Sequence, residues 1–170
     1  MRDDSDKWGP LTKDVVINLP NGMRLSRIKD LTLTMISGPN VLKQVDVPMV
    51  GWPDIAETGQ YAVIMRRDRV LLVGDTDLIE GWDDTKNLAV SDMTHGYDVF
   101  DLSGPHALSM LQQGTEIHLD QPSRSAVRLA FGLGLHIYRY GAEDTFRMHV
   151  LTHQREALIG YLKAVSKPQL

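Results

Sequence analysis

LTLTMISGPNVLKQV at residues 31–45 and YDVFDLSGPHALSML at residues 97–111 carry one plan twice: a strand, then Ser-Gly-Pro, then a helix. In the first copy Leu31, Leu33 and Met35 alternate with Thr32 and Thr34, the period of a strand with one buried face. Ser37 and Ser103 stand where a helix cap is expected, the glycines permit a sharp turn, and Pro39 and Pro105 occupy positions that a helix start tolerates. In the second copy Ala107, Leu108 and Leu111 fall on one helical face, and Gly114 supplies the stop. A tripeptide flanked both times by a strand pattern and a helix pattern points to an internal duplication.

Each copy is followed by a hairpin pattern. The first runs YAVIM, Arg66-Arg67-Asp68, RVLLVGD over residues 61–75, and its strands are apolar on both faces, so both faces should be covered. The second starts at Val127, where Val127, Leu129, Phe131, Leu133, Leu135 and Ile137 hold every odd position and read as one long strand. Its return strand is FRMHVL at residues 146–151, after a turn containing Gly141 and Asp144. The chain then closes with a helix of about a dozen residues, in which Leu158, Tyr161, Leu162 and Val165 share a face and Pro168 ends the run.

Strand, helix, hairpin, repeated and followed by a final helix, predicts an α+β fold. The sheet is expected to be mainly antiparallel with helices on one side, built from two duplicated, interlocked ferredoxin-like halves. Residues 1–27 mix charges with Pro10, Pro20 and an Asn21-Gly22 turn, and read as an arm or lead-in with a short strand possible at residues 15–19. Residues 28–167 then form one domain, with halves at about 28–85 and 86–167.

Composition narrows the function. The chain has 170 residues and no cysteine, which removes disulfides, thiolate metal sites and cysteine nucleophiles. Its net charge is −4 with no lysine or arginine block, so the footprint of a nucleic-acid binder is missing. The start, MRDDSDKWGPLTKD, is polar and acidic, so no secretory leader is expected; no apolar run approaches a membrane span, and a cytoplasmic protein is expected.

Reactive constellations are sparse. His95, His106, His118 and His136 show no ligand spacing, and His149 and His153 straddle the expected strand end and helix start, so no metal site is expected. Asp83-Asp84 and Glu143-Asp144 lie in turn-like stretches, and Asp92 stands alone before the second copy. Gly132-Leu133-Gly134 sits in a strand pattern and lacks the helix of a phosphate loop, and Ser103-Gly104-Pro105 loses an N–H to proline. Catalytic, cofactor-binding and metal residues are therefore all expected to be none. The side-chain-poor face Ala130, Gly132, Gly134 is the one feature suited to close approach by a neighbour or by the final helix.

SDMTHGYDVFDLSGPHALSMLQQGTEIHLD at residues 91–120 resembles the central signature of the sarcosine oxidase gamma subunit family: a strand ending in Leu-Ser-Gly-Pro, a short helix, a glycine stop and an acidic-apolar close. VRLAFGLGLHIYRY, FRMHVLTHQREALIGYL and RDRVLLVGD are similar to that family's hairpins and final helix, so the likeness covers residues 31 to 165. The resemblance implies a fold related to the folate-binding domain of the glycine-cleavage aminomethyltransferase. It implies a non-catalytic gamma-type subunit of a heteromeric, flavin-dependent sarcosine oxidase or related N-methyl amine or amino acid oxidoreductase. In such a complex FAD, FMN, NAD and tetrahydrofolate belong to the partners, which are larger flavin-bearing alpha and beta subunits and a small delta subunit. The alternative is a folate-binding one-carbon transfer protein of the aminomethyltransferase family, against which stands the absence of that family's catalytic aspartate motif.

Overall fold

Each Ser-Gly-Pro unit seeds its own sheet. The computed structural model describes residues 16–118, 121 and 123–166. The chain opens with β1 (Val16–Asn18) and β2 (Arg24–Ile28), then forms β3 (Leu33–Ser37), a single turn of helix α1 (Val41–Gln44), and short strands β4 (Met49–Val50) and β5 (Ile55–Ala56). A hairpin of β6 (Tyr61–Arg66) and β7 (Arg69–Val73) follows, then β8 (Gly81–Asp83) and β9 (Leu88–Asp92). The second unit is β10 (Tyr97–Ser103) and α2 (Ala107–Gln112), followed by β11 (Val127–Ala130), β12 (Leu133–Tyr140), β13 (Ala142–Leu151) and α3 (Arg155–Val165).

The first copy builds a six-stranded sheet in the order β4-β6-β7-β3-β9-β8, and the second a seven-stranded sheet in the order β1-β2-β10-β13-β12-β11 with β5 beside the end of β12. Pairing is antiparallel except at β4–β6 and β5–β12. The changeover between sheets falls at residues 93–96, because β9 pairs with β3 of the first sheet rather than with the second half. Residues 16–27, read from sequence as a lead-in, supply β1 and most of β2, and β2 lies directly against β10. Val15 and Pro168 lie outside the described residues.

The sheets pack face to face, each with its helices on its outer side. Leu33, Val63, Leu71 and Val73 of the first sheet meet Val99 and Tyr138 of the second in one buried cluster. On the far side of the second sheet α2 and α3 cover Phe100, Leu102, Leu135, Ile137, Phe146, Met148 and Val150. Val41 of α1 joins Ile36, Val70 and Leu72 on the far side of the first. This is the α+β, mainly antiparallel architecture that the strand and helix patterns predict.

Four local expectations need correction. Ser37 and Ser103 do not cap the helices: α1 and α2 start after Asn40 and His106 without a side-chain cap, and Ser37 Oγ instead accepts a hydrogen bond of 3.0 Å from Arg69 Nε. The prolines stand in the turn before each helix, so the serines are too far upstream to cap. The Ser-Gly-Pro glycines are required by close approach, since a Cβ on Gly38 would sit 2.5 Å from the Asn87 carbonyl oxygen. One on Gly104, at φ +122°, would sit 2.8 Å from that of Gly22.

The expected long strand from Val127 is a hairpin. Phe131 and Gly132 both have positive φ, 53° and 77°, the signature of a two-residue type I′ turn joining β11 to β12. Leu129 pairs with Gly134 and Val127 with His136, so odd residues change face at the turn: Leu133, Leu135 and Ile137 are buried while Leu129 is exposed. Ala130, Gly132 and Gly134 accordingly do not form one strand face; Ala130 is fully buried and a Cβ at Gly134 would meet open space. The return strand starts at Ala142, which places Glu143 and Asp144 in β13 and leaves only Gly141 in the turn.

Candidate functional site

The polar face of the β12–β13 hairpin is turned inward, against the first sheet. Register sets it in rows: His136 opposite His149 and Val99, then Tyr138 opposite Arg147 and Asp101. Period-two alternation puts Ile137 and Met148 on the helix side and these polar residues between the sheets.

Arg147 is the hub. Its Nε and Nη2 donate to the two Asp101 carboxylate oxygens at 2.7 and 2.8 Å, its Nη1 donates to Tyr61 Oη at 3.2 Å, and its guanidinium lies 3.3 Å from the Tyr140 ring centre. The two-pronged fork is the strong geometry for arginine and carboxylate, and the stacked ring adds a cation–π contact. Tyr61 Oη lies 2.8 Å from Tyr138 Oη, which lies 2.7 Å from His149 Nε2. Arginine can only donate, so the chain is satisfied when Tyr61 donates to Tyr138 and Tyr138 donates to His149. His149 then carries its proton on Nδ1, and Nδ1 of both His149 and His136 is buried without a partner.

Burial governs the charges here. It drives His136 down to about 4 and His149 well below the usual imidazole range, so both are neutral at pH 7. It also raises Tyr61, and Tyr138 well above the usual phenol range. Burial works against the Arg147 charge too, but the Asp101 hydrogen bonds and charge outweigh it and leave arginine firmly protonated. Tyr138 and His149 have no exposed surface, and the charge beside them is matched within the protein by the Arg147–Asp101 pair.

A cleft of about 490 Å³ opens where β2, β3 and β10 meet, lined by Arg27, Lys29, Leu31, Thr94, His95 and Tyr97 among others. Arg27 and Arg155 flank the buried Asp98 carboxylate at 2.5 and 3.4 Å. The Tyr97 ring lies 5.1 Å from that of His136 and 6.3 Å from that of His149, which brings the cleft wall against the buried network.

The histidines and carboxylates singled out in the sequence are dispersed. His95 lines the cleft, His106 precedes α2, and His118 lies 3.3 Å from Glu116 in a loop. His149 is in β13 while His153 is in the following 3-10 turn, and among the described residues no three His, Asp or Glu side chains converge as metal ligands. Asp92 accepts a hydrogen bond of 2.8 Å from the Thr94 amide, and hydrogen bonds from Thr94 lower its pKa. Asp83 caps its own turn through the amides of Thr85 and Lys86. Sequence reasoning did not single out Tyr61, Asp101, Tyr138 or Arg147. The available clue was that the polar positions alternating with Ile137 and Met148 are His136, Tyr138, Arg147 and His149 rather than Lys and Glu, a composition suited to a covered face.

No protein-family model matches the sequence, and no curated protein matches it. Among solved structures the chain is similar to one in heterotetrameric sarcosine oxidase from Corynebacterium sp. U-96, solved in complex with pyrrole 2-carboxylate. The TM-score is 0.66 at 13% sequence identity, and the match covers 92% of this chain and 91% of that one. The chain therefore has the fold of a chain of that heterotetrameric sarcosine oxidase.

Proposed function

We propose that this protein is a non-catalytic, gamma-type subunit of a heteromeric flavin-dependent sarcosine oxidase or related N-methyl amine oxidoreductase. The observation that carries this reading is the near end-to-end likeness to one chain of such a complex, 92% against 91%, which relates it to a whole small chain rather than to part of a large one. The chemistry of the interior supports it. Tyr61, Tyr138, His149, Arg147 and Asp101 are spent on one another between the sheets. FAD, FMN, NAD and folate then sit on larger alpha- and beta-type partners, with a small delta-type subunit completing the complex. Purified alone, the chain is expected to carry no flavin absorbance and to leave sarcosine unoxidised; co-expressed with flavin-bearing subunits, it is expected to co-purify with them. Turnover by the isolated chain, or tight retention of flavin, would refute the proposal.

One observation favours folate binding as a second reading. The cleft beside Tyr97 falls within the roughly 300–1,000 Å³ typical of small-ligand sites. Calorimetry of the isolated chain with tetrahydrofolate decides it: micromolar binding would replace the assembly role with this one.

A further inference from the structure

The connection from β7 into β8 has a surface unlike the rest of the molecule. Residues 75–84, DTDLIEGWDD, hold five carboxylates and no lysine or arginine, one negative charge more than the net −4 of the whole chain. Among the described residues none of Asp75, Asp77, Glu80, Asp83 and Asp84 lies within ion-pair distance of a lysine or arginine. Amid this charge stand Ile79, 87% exposed, and Trp82, 58% exposed.

The segment is held in place rather than loose. Leu78 packs into the core beneath α1, Thr32 Oγ1 donates to Asp75 at 2.7 Å, and Gln60 donates to the Asp75 carbonyl. Trp82 Nε1 donates to Asp84 at 2.7 Å, which fixes the exposed indole. Trp82 lies in β8, the last strand of its sheet, whose outer edge pairs with nothing among the described residues. Charge alone would suffice to keep such an edge from aggregating. A fixed, exposed tryptophan three residues after an exposed isoleucine does the opposite, and preorganised aromatic anchors ringed by polar groups are what protein interfaces are built on.

We propose that Ile79, Trp82 and the carboxylates around them form the docking surface for a larger partner subunit, whose matching face is a lysine- and arginine-rimmed apolar pocket. This rests on the assembly role proposed above and names the surface through which it works. The unbalanced carboxylates select a cationic rim, and the indole and isoleucine supply the apolar centre.

The test uses the full chain and purified flavin-bearing oxidase subunits, with the dissociation constant measured at 0.1 and 1 M salt, between which the screening length falls from about 10 to about 3 Å. Trp82→Ala is expected to weaken binding by roughly thirtyfold. Asp77→Asn with Glu80→Gln is expected to weaken it at low salt and to reduce its salt dependence. Both variants change exposed side chains, and circular dichroism matching the wild type verifies their fold. Unchanged affinity in both variants would overturn this surface while leaving the assembly role intact. A wild type that binds no flavin-bearing subunit would overturn both, and self-association through Trp82 would assign the surface to a second copy and overturn the partner proposed here.

Discussion

The same two strands, β12 and β13, line two interiors of opposite character. Toward the helices they present Leu135, Ile137, Phe146, Met148 and Val150; toward the other sheet they present His136, Tyr138, Tyr140, Arg147 and His149. The first interior is held by area and shape, which are non-directional and forgiving of swaps that keep volume. The second depends on the Arg147–Asp101 fork and a directed hydrogen-bond chain, where each member is costly to lose because its neighbour is left buried and unpaired. An apolar core makes a sheet stable, whereas a polar seam makes the approach of two particular sheets specific.

The sharpest way to break this comparison is Arg147→Met, which keeps much of the volume and removes the charge. It strands Asp101 and Tyr61, and chemical denaturation is expected to show a loss of about 3–5 kcal/mol. Adding Asp101→Leu should recover most of that loss, since replacing both partners removes the orphaned charge.

Acid attacks the seam next. The folded protein holds His136 and His149 neutral, so as pH falls below about 6.5 the unfolded chain takes up protons first. Stability is full above that pH and declines toward about pH 4, where His136 titrates in the folded state, by roughly 3 kcal/mol from His136 alone. Denaturation midpoints across this window check it, and His136→Leu should flatten the slope.

Smaller effects separate the two interiors further. Tyr138→Phe removes one hydroxyl and leaves Tyr61 and His149 without their shared partner, for an expected loss of about 1–3 kcal/mol in urea. Met148→Leu, on the opposite face of β13, is a volume-conserving swap expected to cost less than about 1.5 kcal/mol. Equal costs for these two would erase the distinction.

The paired units and the Tyr61–Val73 hairpin were legible in the sequence because their instructions are local: alternation, Ser-Gly-Pro, and a polar turn. The β11–β12 turn was hidden because Phe131 and Gly132 interrupt the chain without interrupting the odd-position apolar rhythm, and a bulky residue at positive φ is not a usual turn marker. The serine caps failed because a turn through the prolines separates each serine from its helix, and the glycines answer to contacts far away in sequence, the backbones at Asn87 and Gly22. The polar seam was the least legible part. Alternating polar residues on a hairpin ordinarily mean solvent, and only the second sheet, packed over them, converts Tyr138 and His149 into an interior. Ile79 and Trp82 carry no pattern at all, and their interest comes from exposure.

The proposed role, a subunit that contributes shape rather than reacting groups, is tested most directly by turnover per bound flavin in a reconstituted complex carrying Tyr138→Phe. The hydroxyl at the centre of the only extended aromatic, imidazole and guanidinium network among the described residues is then gone. The complex is expected to assemble and to oxidise sarcosine at the wild-type rate per flavin. A steep fall in turnover with assembly intact would contradict that reading and place chemistry inside this chain.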